Sequence, residues 1–260
     1  MIKLGPGGTS GLGYTDGLNE IAKLSLAALE VEFTYGVKMP NSVAAEVGAL
    51  AKKLNISLSV HAPYYINLNS EEKAKVQASK VRILQSCERA HHLGAKYIVF
   101  HAAYYGKDSK ESVYEAVKQQ ILDLNKTIKQ KGWNVHLAPE TTGKASQFGE
   151  LDELLKLRKE TGCELCVDFA HLKARNNGKI DYKEVFSKLK HVNHIHAHFS
   201  GIEWGPKGER RHKITDESNL KPLLDEIKKQ NTDITIINES PDPFGDSVKA
   251  LKLLRRYEIK

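Results

Sequence analysis

Taken in chain order, His61, His101, Glu140, Asp168, His171, His196, His198 and Glu239 each stand at or just after a short apolar run. Neutral imidazole with carboxylate oxygen is a donor set suited to zinc, with manganese or iron as competitors. Gathering so many acids and imidazoles around one mouth is costly unless cations neutralise the acids and accept the nitrogen lone pairs. The set exceeds what one tetrahedral ion can use, so it predicts two or three metals and, with them, hydrolytic chemistry. Other histidines have structural readings. His91 and His92 precede Gly94 at a helix end, where a cation favours the helix C-terminus. His136, His191 and His194 lie before strand ends.

The elements that must position these residues follow from hydrophobic patterning. Apolar runs at residues 2–4, 29–33, 57–60, 97–100, 135–138, 165–167, 193–197 and 234–237 are eight strand candidates. Between them lie segments at helical period, covering 42–54, 71–93, 150–160, 182–190, 219–230 and 247–257. Another is centred on Val113, Val117, Ile121 and Leu124, and only the first connection, 17–26, is weakly patterned. Strands alternating with helices predict a parallel sheet. Eight such units in a chain of roughly the length of a (βα)8 barrel predict α/β class and one closed TIM barrel over residues 1–260. Active sites in that architecture gather outside the carboxyl ends of the strands, where the histidines and acids stand.

The totals agree with one globular enzyme. The chain has 260 residues, 40% hydrophobic and 27% charged, with net charge +7 and an isoelectric point near 9.1. A basic enzyme suits a polyanionic partner such as nucleic acid, although a Lys/Glu-rich solvated surface gives the same balance. No apolar run approaches the roughly 18 residues that span a bilayer, and no leader pattern opens the chain, so a cytoplasmic location is expected and a membrane partner is not. Cys87, Cys163 and Cys166 are too few for a disulfide framework and are expected to be free thiols. The glycine-rich run 5–13 matches neither GK[ST] nor GxGxxG spacing, so it predicts no nucleotide cofactor and reads as a turn that lets a ligand approach closely.

An ordered set of strings carries a family resemblance: HAPYYINL at His61, FHAAYYG at His101, APETTGKASQFG at Glu140, CVDFAHLKA at Asp168, HAHFSGIE at His196 and INESPDPFGD at Glu239. Together they resemble endonuclease IV, a family of trinuclear zinc apurinic/apyrimidinic endonucleases on a xylose isomerase-like barrel. The resemblance implies a monomeric base-excision-repair enzyme that hydrolyses the phosphodiester 5′ to abasic sites in double-stranded DNA, with removal of 3′-blocking groups as a further activity.

By position, it implies that His61 and His101 hold one zinc and that Glu140 bridges it to a second, completed by Asp168, His196 and Glu239. Glu140 and Glu239 are the implied catalytic carboxylates. His196 is preferred over His198 by the family register, which leaves His198 behind the ligands. His171 and His212 would hold a third zinc. That site usually takes an aspartate, but Arg210 stands in its place here, so Glu209, one residue earlier, is the expected substitute. Tyr64 falls beside the implied lesion pocket. The family's DNA-intercalating loop has no counterpart in 34–41, where Tyr35 and Lys38 are the available residues. Lys38, Lys207, Arg210, Arg211 and Lys213 are candidates for phosphate contacts. The rival expectation is a sugar isomerase or epimerase on the same barrel, using one or two divalent ions. It would not need His61, His101, His171 and His212 together.

Overall fold

A computed structural model describes residues 1–256. Eight parallel strands alternate with helices: β1 (Ile2–Pro6), β2 (Ala28–Glu32), β3 (Ser57–His61), β4 (Tyr97–Phe100), β5 (His136–Pro139), β6 (Cys166–Asp168), β7 (Ile195–Phe199) and β10 (Ile234–Asn238). Two four-stranded sheets run β1-β10-β7-β6 and β2-β3-β4-β5. They join through parallel bridges Gly7 to Glu30 and Glu140 to Cys166, which closes the barrel.

Alternation along each strand separates two environments. Leu29 and Val31, Leu58 and Val60, Ile98 and Phe100, Leu137, Val167, Ile195 and Ala197 face outward into the main apolar core. That core is shared with α1 (Tyr14–Lys23), α2 (Asn41–Lys53), α3 (Lys73–Leu93), α4 (Lys110–Lys131), α5 (Leu151–Thr161), α7 (Tyr182–Leu189), α8 (Glu217–Lys229) and α9 (Pro243–Arg256). The lumen has a small apolar patch of Val99, Ala138 and Cys166 beside Tyr97, with Ile237 in register with His198. Much of its lining is polar, with Glu30, Ser59, His196 and His198 fully or almost fully buried.

Local signals set where the helices stop and start. Helices α3, α4 and α5 end on Gly94, Gly132 and Gly162, each left-handed with φ near +70°, where a side chain would be strained. Helix α5 begins with a reciprocal capping box between Glu150 and Glu153. His91 and His92 lie in the last turn of α3, as their spacing predicts.

Most predicted strands lie within a residue or two of the observed ones. The consequential shift is β7, expected at 193–197 and found at Ile195–Phe199. Helix α1 forms despite its weak pattern, because Leu18 and Ile21 are fully buried. The predicted helix 247–257 begins earlier, at Pro243, and Tyr257 lies outside the described residues. Two features have no counterpart in the patterning: the short helix α6 (Phe169–Arg175) and a hairpin of β8 (Gly201–Gly205) and β9 (Gly208–Lys213) over the C-terminal mouth. The three cysteines are free and buried. No helix among the described residues is long and apolar enough to cross a membrane.

Candidate metal centre

Glu140, at the end of β5, is the hub of the C-terminal mouth. Its Oε2 lies 3.3 Å from His61 Nε2 and 3.0 Å from His101 Nε2. Its Oε1 lies 3.2 Å from His171 Nδ1 and 3.3 Å from His198 Nδ1. Donor atoms fall into overlapping groups: His61, His101 and Glu140; Glu140, Asp168, His198 and Glu239; and Asp168, His171 and His212.

The second of these groups contains His198 where His196 was expected, and His196 falls instead in a separate group with Cys166 and His198. Because β7 ends two residues later than its apolar run suggests, His198 reaches the mouth, with Nδ1 3.3 Å from Glu239 Oε1. His196 sits one pleat deeper, bonded to Glu30 at 2.8 Å and stacked on Tyr97 with ring centroids 5.1 Å apart. It lines a cavity of about 690 Å³ at the opposite mouth, with Lys3, Ser59 and His194. None of Glu140, Asp168 and Glu239 lines that cavity.

Hydrogen bonds behind the histidines orient their free nitrogens. His61 Nδ1 donates to the Ala62 carbonyl at 2.8 Å and His171 Nδ1 to the Thr141 carbonyl at 3.0 Å, which turns each Nε2 toward the cluster. His212 Nδ1 meets Ser200 Oγ at 2.7 Å, with the same effect. Asp168 caps α6 by accepting the His171 backbone N–H, so the two residues are fixed together.

The hairpin supplies Glu209 through an irregularity. In a regular strand Glu209 and His212 would point to opposite faces. The pairing runs Arg211 with Glu203 and then Glu209 with Trp204, leaving Arg210 as the extra residue of a β-bulge. The added residue restores common parity, and Glu209 Oε2 lies 3.5 Å from His171 Nε2, with Oε1 4.0 Å from His212 Nε2. Gly143 makes room, since a Cβ there would stand 2.5 Å from that of Glu209. Arg175 secures the loop beneath by donating to the carbonyls of Lys144 and Gln147 and to Thr142 Oγ1.

Charge and burial act together. Burial alone would raise the Glu140 carboxyl, but the charges of His101 and His198 hold it well below the usual range. Glu239 is likewise lowered to about 2, burial being outweighed by His198. His61 goes to about 9 because its bond and charge contact with Glu140 overcome burial. His171 is also raised, against burial, by Asp168 and Glu140, and His198 by Cys166 and Glu239. Asp168 is raised, burial being its largest influence.

The residues fit resident cations. Glu140 Oε1, Asp168 Oδ2 and His198 Nδ1 are buried without an aligned hydrogen bond among the described residues. An acid cluster whose buried lone pairs converge without donors is completed by a metal ion.

Two acids of β2 escaped the sequence reading. Glu30 is completely buried in the lumen. Glu32, raised to about 7 by burial and by the charges of Glu239 and Glu30, stands at the rim. At the glycine-rich turn Glu32 comes close to the backbone, its Oε1 lying 2.5 Å from where a Cβ on Gly7 would stand. Alternating acids within the run Leu29–Phe33 were the available signal, because acids are unusual in a strand buried on both faces.

The other expected contact residues are on the rim. Tyr64 is 60% exposed, its ring 6.1 Å from that of His61. Tyr35, Lys38, Lys207 and Lys213 are exposed. Arg210 and Arg211 are exposed but pair with Glu203 at 3.6 and 2.8 Å, which offsets part of their charge.

The fold is a TIM barrel whose mouth gathers residues that could hold metal ions, and comparison with known proteins narrows this. A family model described as xylose isomerase-like TIM barrel matches residues 18–257, and the chain belongs to that family. Among its relatives is an uncharacterised protein of Methanocaldococcus jannaschii, 39% identical over 89% of this chain and 88% of that one. A probable endonuclease 4 of Mycoplasmopsis pulmonis is 30% identical over 70% of this chain and 69% of its own length, so the resemblance to endonuclease IV holds at family level. The crystal structure of endonuclease IV from Thermus thermophilus superposes with TM-score 0.72 at 19% identity, covering 99% and 98% of the two chains. A 3-keto-D-glucoside 4-epimerase from E. coli superposes equally well, at 0.72 and 15% identity over 98% and 100%. At such identities these likenesses show the fold alone.

Proposed function

We propose that the protein is a multinuclear metal-dependent apurinic/apyrimidinic endonuclease, hydrolysing the phosphodiester 5′ to abasic sites in double-stranded DNA as a cytoplasmic, monomeric repair enzyme. The observation that carries this reading is the convergence of His61 and His101 on one oxygen of Glu140, with His171 and His198 on the other. One cation has no use for so many donors. In this reading His61, His101 and Glu140 hold one zinc, and Glu140, Asp168, His198 and Glu239 a second. His171, His212 and Glu209 hold a third, and manganese is the alternative ion at these sites. When bound, the cations supply Lewis acidity toward the phosphate and toward water.

The chain's own residues then have definite tasks. Glu140 and Glu239 act as the catalytic carboxylates that order the centre and balance its charge. Tyr64 flanks the extruded nucleotide, since a site without a base is the least costly to unstack. Lys38, Lys207, Arg210 and Arg211 contact phosphates, with Lys213 and Tyr35 beside them. Removal of 3′-blocking groups uses the same hydrolytic centre.

The second reading, a sugar epimerase, draws on the quartet of Glu140, Asp168, His198 and Glu239, which one divalent ion can occupy alone. Counting metals in the purified protein, alongside incision of a lesion-bearing duplex, separates the two. Two or three zinc or manganese ions per chain with incision support the endonuclease. One ion, with ketose epimerisation and no incision, supports the rival.

A further inference from the structure

Glu30, buried below the cluster, belongs to none of the donor groups. Glu30 projects from β2 into the lumen and is 0% exposed. Its Oε1 lies 2.8 Å from His198 Nε2 and its Oε2 lies 2.8 Å from His196 Nε2. Ser59 Oγ donates to the same Oε2 at 2.6 Å. Beneath, His196 stacks on Tyr97 at an interplanar angle of 17°.

An isolated carboxylate in a barrel lumen would be costly. Here His198 and His196 face its two oxygens from opposite sides, each at 2.8 Å. Neither nitrogen of His198 makes an aligned hydrogen bond, although Nδ1 faces Glu140 and Glu239 and Nε2 faces Glu30. A ring held this way presents Nδ1 to the mouth and can turn its Nε2–H onto Glu30. A carboxylate behind an imidazole fixes its tautomer and makes its free nitrogen a better donor.

We infer that Glu30 is a positioning residue for the metal centre, anchoring His198 from inside the barrel and itself held in place by His196 and Ser59. This rests on the metal-centre reading above. It gives the β7 histidines separate tasks: His198 faces the cation, and His196 holds the carboxylate that orients it.

The test uses the full chain, stripped with chelator and titrated with cobalt(II) as a spectroscopic probe. In Glu30→Gln the affinity of one cobalt equivalent is expected to fall about 10- to 100-fold. Its visible ligand-field bands should change, while the remaining equivalents keep their affinity. His196→Phe, which keeps the stack on Tyr97 but removes the bond to Glu30, should move the same equivalent in the same direction, by less. Circular dichroism of each stripped variant checks the fold, and either variant alone suffices for the test.

Normal cobalt affinity and spectrum in a folded Glu30→Gln or His196→Phe would overturn the positioning role while leaving the metal centre intact. Failure of the unaltered protein to take up cobalt would overturn both. A near-ultraviolet thiolate charge-transfer band would place cobalt on Cys166, whose sulfur lies within 4.8 Å of a ring nitrogen of each of His196 and His198. That result would make these residues ligands themselves and overturn the role given to Glu30.

Discussion

Loading the stripped protein with zinc should expel protons, and the structure sets how many and where in pH. His61 binds metal only as the neutral imidazole, yet Glu140 raises its pKa to about 9. At about pH 7.5 it therefore carries its proton almost completely. Removing that proton costs about 2 kcal/mol, from about 1.5 pH units at about 1.4 kcal/mol each. Zinc affinity should accordingly rise about tenfold per pH unit from His61 alone until the pH approaches about 9. His171 and His198 are raised too and add to the proton count. The metal-free protein should show the opposite trend: the stabilisation from the raised His61 is complete below its unfolded value and is lost as pH rises through about 9. Calorimetric titration with zinc, repeated in buffers of different ionisation enthalpy, gives the protons released. At least one per chain is expected at about pH 7.5. No release, or an affinity flat from about pH 6.5 to 9, would refute the link between Glu140 and His61.

Three further outcomes follow from particular contacts. Glu140→Gln should reduce incision of abasic-site DNA by at least about a thousandfold while DNA binding, measured by fluorescence anisotropy, stays within about threefold; full activity would remove Glu140 from the centre. Glu209→Ala and Gly143→Ala should each lower the metal count by about one per chain and the incision rate with it, the second because the new methyl displaces Glu209. Unchanged metal content by elemental analysis would dismiss Glu209 as a donor. Asp246 accepts from the Thr215 backbone at 2.6 Å and from Lys249 at 2.7 Å, and these contacts outweigh burial to lower its pKa. Its stabilisation is present above the unfolded carboxylate value and lost as pH falls through the lower folded one. Asp246→Asn should cost about 2 kcal/mol in urea unfolding near neutral pH, with the difference shrinking in acid.

The barrel was legible because its strands and helices are written in local periods. The mouth was legible because His61, His101, Glu140, Asp168 and Glu239 directly end or follow apolar runs. What escaped depends on contacts distant in sequence. The end of β7 is set by barrel register, Asp168 opposite His198 and Asn238 opposite Phe199, and not by hydropathy, which the histidines of HAHF interrupt. That is why hydropathy pointed to His196 at a mouth where the structure brings His198. The role of Glu30 depends on a partner 166 residues away. Glu209 reaches the cluster only because the hairpin bulges at Arg210, which pairing with β8 decides. It stands 3.5 Å from His171 and 4.0 Å from His212, and the Glu209→Ala metal count tests whether it is the expected donor.

The most direct test of the central claim is incubation of the protein, stripped and then reloaded with zinc or manganese, with a labelled duplex carrying one tetrahydrofuran abasic analogue. The account predicts a single nick 5′ to the lesion that leaves a 3′-hydroxyl, absent from the stripped protein and restored by metal; this analogue cannot undergo β-elimination, so the nick reports hydrolysis. No nick from a folded, metal-loaded sample would contradict it.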